Sequence, residues 1–275
     1  MRADWRTPGR GNRRLDGIGA RANLMPGPGD RPGRLLVGTS GFAYPAWAPL
    51  FYPAGSRADA LLPHYATRLP ACELNNTFYQ QPSADKIRSW LAATPPDFRF
   101  VAKAQRGGSL RAIVADPVAS LAWLTAPYRD FGERLGSVLF RIPANVQRDD
   151  EKLSAMLTAW PRDMPLTIEA QHPSWAVDET LELLRTAGAA WCATDLDDAE
   201  TPPLRLIAPW LYLRLRRAAY AASELDAWAA RLVPFLDAGN DAFVFFRHDE
   251  DGTSALRALD LARRVEEQRS PPTAG

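Results

Sequence analysis

WLYLRLR, residues 210–216, alternates leucines with Tyr212, Arg214 and Arg216. Successive side chains of a strand point to opposite faces, so Leu211, Leu213 and Leu215 share one face and Tyr212 shares the other with the two arginines. A leucine face suits a cover of helices. The arginines then point inward, into a sheet that closes on itself, where charges are costly unless paired.

Seven further runs have the length and composition of strands: LLVGTS (35–40), ACELN (71–75), FRFVAK (98–103), SVLFRI (137–142), LTIEA (166–170), AAWCATD (189–195) and FVFFRH (243–248). Each is rich in branched or aromatic residues and bounded by Gly, Pro or Asp. Helical patterns fall between them. Residues 83–94 open on a serine N-cap. Residues 116–124 open on Asp116 followed by proline at the first helical position. Residues 177–188 end on glycine, and 223–239 and 253–268 carry apolar residues at helical spacing. Pro234 predicts a kink or break in the fourth of these. The stretch 196–209 has prolines in place of a helical pattern. Eight strands alternating with about seven helices predict an α/β fold, a single (β/α)8 TIM-barrel-like domain over 34–270 with an irregular sixth helical layer. A doubly wound open sheet competes, but GTSGF after the first strand lacks the GxGxxG spacing.

The chain has 275 residues, a formal net charge of +1, two cysteines and 46% hydrophobic residues. These numbers fit one large domain with a sizeable core and argue against a general polyanion binder. Two cysteines make no disulfide framework, and a cytoplasmic location is expected. The longest apolar stretch, 207–213, is far below the roughly 20 residues of a spanning helix, so no membrane partner is expected. Thirty arginines against three lysines look like the coding bias of a GC-rich genome. Residues 1–33 stand apart, with seven Gly, four Pro and a net charge of +4. They read as a flexible basic tail, disordered or irregular. The alternatives are an arm that touches phosphate and upstream sequence of a chain starting at Met25.

In a barrel, ligand chemistry collects where strands end. Here those ends carry Glu73 and Asn75, Lys103, Arg141, Glu169 with His172, Asp195, Arg214 with Arg216, and His248. The competing account is a buried ion network that merely fills the barrel. His64 reads as packing, and Cys72 and Cys192 as core. No HxH, HExxH or CxxC spacing is present, so the sequence leaves both metal and cofactor unknown; a metal would need ligands from several strands. No GxSxG elbow or Walker lysine motif appears.

The ordered set GTSGFAYPAW and FYPAG (38–47, 51–55), ELNNTFYQQP (73–82), TPPDFRFVAKA (94–104), LGSVLFRIP (135–143), EAQHPSW (169–175) and YLRLRRAAY (212–220) resembles the YecE-like family, domain of unknown function 72. The resemblance covers roughly 35–265 and implies a TIM-barrel-like fold without an established activity. Glu73, Asn75, Thr77, Tyr79, Lys103, Glu169, His172, Trp175 and Arg214 match the family's wording. Phe42, Gln171 and the Arg216–Arg217 pair depart from it.

Three functional readings follow. In the first, the barrel binds or acts on an anionic, phosphorylated or nucleotide-like ligand, so that a small anionic molecule or nucleic acid is the partner. Glu73, Glu169 and His172 would be the acid–base groups. Asn75, Tyr79, Lys103, Arg141, Trp175, Asp195, Arg214, Arg216 and His248 would be the binding groups. The second is a divalent-metal phosphodiesterase or isomerase, by analogy with other barrels. The third is a non-catalytic binding or assembly module. Oligomeric state is not legible.

Overall fold

The computed structural model describes residues 31–270; all of the expected tail before Arg31 lies outside the described residues. The chain runs β1 (Leu35–Thr39), α1 (Ala58–Arg68), β2 (Ala71–Leu74), α2 (Ala84–Ala92), β3 (Arg99–Lys103), α3 (Arg106–Val114), α4 (Pro117–Thr125) and β4 (Leu135–Ile142). It continues with α5 (Asp150–Ala159), β5 (Leu166–Ala170), α6 (Asp178–Ala187), β6 (Ala190–Asp195), β7 (Trp210–Leu215), α7 (Ala222–Asp237), β8 (Asp241–Phe246) and α8 (Thr253–Arg269). All strand pairs are parallel, in the order β1-β8-β7-β6-β5-β4-β3-β2, and a bridge from Ser40 to Glu73 brings β1 back to β2. This is the nearly closed barrel expected from the strand count. Between β6 and β7 the described chain forms no helix.

Two apolar layers hold it. Leu36, Val101, Leu139, Cys192, Tyr212, Phe243 and Phe245 fill the barrel interior. Val37, Ala102, Phe140, Ile168, Leu213 and Val244 face outward under the helices. The alternation read from 210–216 is the physical partition between these layers. Both cysteines are buried and free.

Two local features depart from the sequence pattern. QRGGSL (105–110), outside the helical patterns read above, opens α3: the Gln105 side chain accepts from Gly108 N at 2.7 Å and caps the helix. A Cβ on Gly108 would lie 2.9 Å from the Trp123 ring, so the glycine lets α3 and α4 pack closely. Of the kink or break expected at Pro234, the break is absent, and α7 continues to Asp237. The carbonyl that Pro234 cannot bond belongs to Ala230, an exposed residue, while Leu236 beyond it is buried and anchors the last turn.

The β1–β2 seam has few ladder bonds, and Tyr65 supplies the missing link. Its hydroxyl accepts from Thr39 N at 2.8 Å and donates to Ala71 O at 3.0 Å. Gly38 makes room for this, because a Cβ there would meet Ala71 O at 1.9 Å. Tyr65→Phe leaves a buried donor and a buried acceptor without that partner. We expect it to cost about 1–3 kcal/mol in urea unfolding; a loss under about 0.5 kcal/mol, the scale of an ordinary surface change, would show that the hydroxyl does not hold the seam.

Candidate functional site

The inward faces of the strands end in a layer of polar side chains. Arg214, from β7, lies between Glu73 of β2 and Glu169 of β5, and all three are buried. Its Nη2 donates to Glu73 Oε1 and its Nη1 to Glu169 Oε1, each at 2.7 Å. Ser40 Oγ also donates to Glu73 Oε1, at 2.6 Å, and Tyr212 donates to Oε2 at 2.9 Å. Glu73 is therefore hydrogen-bonded on both oxygens. Glu169 is not: Oε1 takes Arg214 and a long bond from Thr194, while Oε2 is buried without a hydrogen bond. Arg141 Nε faces that oxygen at 3.5 Å and also lacks a hydrogen-bond partner, as does Arg214 Nε.

Burial alone would raise both carboxyls. The charge of Arg214 overrides it, with Lys103 assisting, so Glu73 lies below its ordinary range and Glu169 falls to about 2. Lys103 moves the other way. Burial lowers it from 10.5 to about 8, although Glu73 pulls it back up. Its Nζ donates to Asn75 Oδ1 at 3.3 Å and sits 4.6 Å from the centre of the Phe78 ring. Thr77 fixes this corner: its Oγ1 lies 2.7 Å from both Leu74 O and Lys103 O, which share its single proton. The Asn75 amide also meets His248 Nδ1 at 3.3 Å, and that imidazole stacks on Tyr44 at 5.1 Å. Burial, then Arg216, lowers the His248 pKa and favours its neutral form. Arg216 continues the inward face of β7; its half-buried side chain has no hydrogen-bond or ion-pair partner among the described residues, and burial lowers its pKa.

A cavity of about 520 Å³ opens beside this cluster, its charged lining made of Arg141, Glu169, Arg205, Arg214 and Arg216. The structure thus brings together Glu73, Glu169, Arg214, Arg141, Lys103 and Asn75 by contact, with Arg216 on the shared cavity and His248 reached through Asn75. Four expected residues stand elsewhere. His172 Nδ1 accepts from Ser174 N at 3.2 Å and caps the short turn Pro173–Trp175. Trp175 is fully buried and donates to Val146 O at 2.9 Å. Tyr79 is 75% exposed, edge-on to Phe78. Asp195 is taken by Arg217 at 2.8 Å and Tyr220 at 2.9 Å, which tie down the chain after β7. Ser40, Thr194 and Tyr212 went unread as partners of the carboxylates; their inward parity in the strands was the available signal.

For a divalent metal the donor set does not fit. Arg214 occupies the space between the two carboxylates, and among the described residues no three His, Cys, Asp or Glu side chains converge. Nor is any helix among the described residues long and apolar enough to cross a membrane.

Because Arg214 neutralises two buried carboxylates, Arg214→Met should cost about 3–5 kcal/mol. The sign with pH separates this from simple repacking. Carboxyls held below their unfolded 4.5 stabilise the fold above that pH, and the stability drains as pH falls through 4.5 toward 2. The variant, measured by urea unfolding between pH 3 and 7, should lose that acid sensitivity or reverse it. An unchanged slope would refute the assignment.

The family model for proteins of unknown function DUF72 matches residues 36–274. The chain belongs to the DUF72 family, as its motifs imply. A DUF72 family protein of Thermotoga maritima has a similar structure, with 26% identity and a TM-score of 0.72 over 84% of this chain and 99% of that one. A second, of Enterococcus faecalis, has 17% identity and a TM-score of 0.69 over 85% and 96%. A methyltransferase from Methanosarcina mazei shares the fold alone, at 10% identity and a TM-score of 0.51 over 87% and 94%. No curated protein matches the chain.

Proposed function

We propose that this DUF72 barrel binds a small molecule bearing a phosphate or similar anion in the cavity beside Arg214. One observation carries the reading: Arg216, half-buried and without a hydrogen-bond or ion-pair partner among the described residues, lines the same cavity as Arg141 and Arg214. A cation held out of bulk water without a counter-charge is costly. A guanidinium in that position calls for anionic oxygens. Charge supports the same reading. Glu73 and Glu169 face Lys103, Arg141, Arg214 and Arg216, so the cluster has two positive charges more than it neutralises.

Roles follow from occupancy. Arg141 and Arg216 are the anion's ligands. Arg214 is held by two carboxylates and serves mainly to position Glu169. Glu73, hydrogen-bonded on both oxygens, is a positioning residue. Glu169, ionised down to about pH 2, accepts a hydrogen bond and is a poor general base at neutrality. Lys103 titrates near pH 8 and is the member of the charged cluster suited to proton transfer.

Arg216→Ala should weaken phosphate or sulfate binding by about 1.5–3 kcal/mol, on the order of 10–100-fold by calorimetric titration. Arg216 has no structural partner to lose, so the melting temperature should hardly move. Equal anion affinity in variant and parent would overturn the reading. The pH dependence is a second check. Lys103 is cationic below about 8 and neutral above it, so affinity should fall as pH rises through that value. Lys103→Met should flatten the break; a break that persists in the variant belongs to another group.

A further inference from the structure

The cavity reaches beyond the barrel interior. Pairing between β5 and β6 stops at Ile168 opposite Trp191, although β5 runs to Ala170 and β6 to Asp195. On either side the ladders continue to the top, β4 with β5 to Ala170 and β6 with β7 to Asp195. The two strands part at their C-terminal ends, and the cavity occupies the gap. Its wall includes Glu169 and Thr194, which point inward, and Ala170 and Ala193, which by alternation point outward toward the helical layer. In most barrels a helix after β6 would cover such a gap. Here the segment 196–209 crosses it, with Leu196, Pro202 and Pro203 on the cavity. Arg231 fixes that cover by donating to Pro202 O at 2.6 Å, and Arg217 by donating to Thr201 Oγ1 at 3.3 Å.

The cavity therefore joins charged groups, Arg141, Glu169, Arg205, Arg214 and Arg216, to apolar ones, Leu181, Trp191, Leu196 and the two prolines. An inorganic anion uses only the charged groups. The volume of about 520 Å³ falls in the roughly 300–1,000 Å³ range of pockets that enclose whole organic ligands. We infer that the ligand is an amphipathic anion, an acidic head joined to an aromatic body, whose head sits at Arg141 and Arg216 and whose body passes between β5 and β6 to pack on Trp191. Flat rings suit a wall of indole and proline, where stacking adds to burial. The inference rests on the anion reading above and adds the chemistry of the rest of the molecule.

The test is titration of the full chain with inorganic phosphate, phenyl phosphate, 2-naphthyl phosphate and uncharged 2-naphthol. Affinity should rise with the size of the ring system, and 2-naphthyl phosphate should bind at least about tenfold more tightly than phosphate, the gain from burying about 55 Å² of apolar surface. It should exceed 2-naphthol by a similar factor. Leu196→Asp, at a position already 45% exposed, should collapse the ratio of naphthyl phosphate to phosphate affinity. Leu181→Gln provides the same readout without adding charge. If phosphate and naphthyl phosphate bind equally and both weaken in Arg216→Ala, the aromatic body is wrong and the anion site stands. If neither phosphate nor the aryl phosphates bind, both readings fall. An unchanged ratio in Leu196→Asp and Leu181→Gln also overturns the inference.

Discussion

The guanidinium of Arg214 bonds Glu73 through one terminal nitrogen and Glu169 through the other. It ties β7 to β2 and β5 from inside the barrel. Two carboxylates buried this close would repel each other and protonate without a cation between them. With it both stay ionised, and the layer above the apolar core becomes a fixed array of charge. The array is asymmetric. Ser40 and Tyr212 hydrogen-bond Glu73, whereas Glu169 Oε2 has only the ion pair with Arg141 at 3.5 Å. That difference separates a carboxylate fixed on both oxygens from one held more loosely beside the cavity.

The surplus of positive charge follows from the same layer. A lysine placed in a cationic, desolvated corner relieves part of the cost by losing its proton, and Lys103 does so near pH 8. Arginine has no such outlet, since guanidinium stays protonated. Arg216 therefore stays charged in its half-buried place without an ion-pair partner among the described residues, and that unmet charge is what the proposed anion would neutralise.

Much of this arrangement was legible in the sequence because strand parity is a strong constraint. Once WLYLRLR is a strand with its leucines under helices, Arg214 must point inward, and Glu73 and Glu169 stand at the matching ends of their own strands. Parity also explains what could not be read. His172, Trp175 and Tyr79 lie past the strand ends, where no period of two applies, and local turn geometry sends each its own way. Asp195 lies on a strand, but its partners Arg217 and Tyr220 come from the chain after β7 and claim it before a ligand can. The helix α3 was hidden for another reason. Its two glycines weaken any helical pattern, and the use of Gly108 in packing against Trp123 is a tertiary fact with no local trace.

The missing helix between β6 and β7 links the fold to the cavity. Pro202, Pro203 and Pro209 remove three amide donors and disfavour helical backbone before each of them, so the segment stays extended. A helix at that place would be about 10 Å thick with its side chains and would press on the outer faces of β5 and β6. An extended cover is thinner and needs fixing at only a few points, which Arg217 and Arg231 supply. The room left beneath it is where the strands part and where Trp191 meets the cavity. The stretch with the weakest helical pattern is thus the one that lets the ionic layer inside the barrel share a single space with the apolar layer outside it.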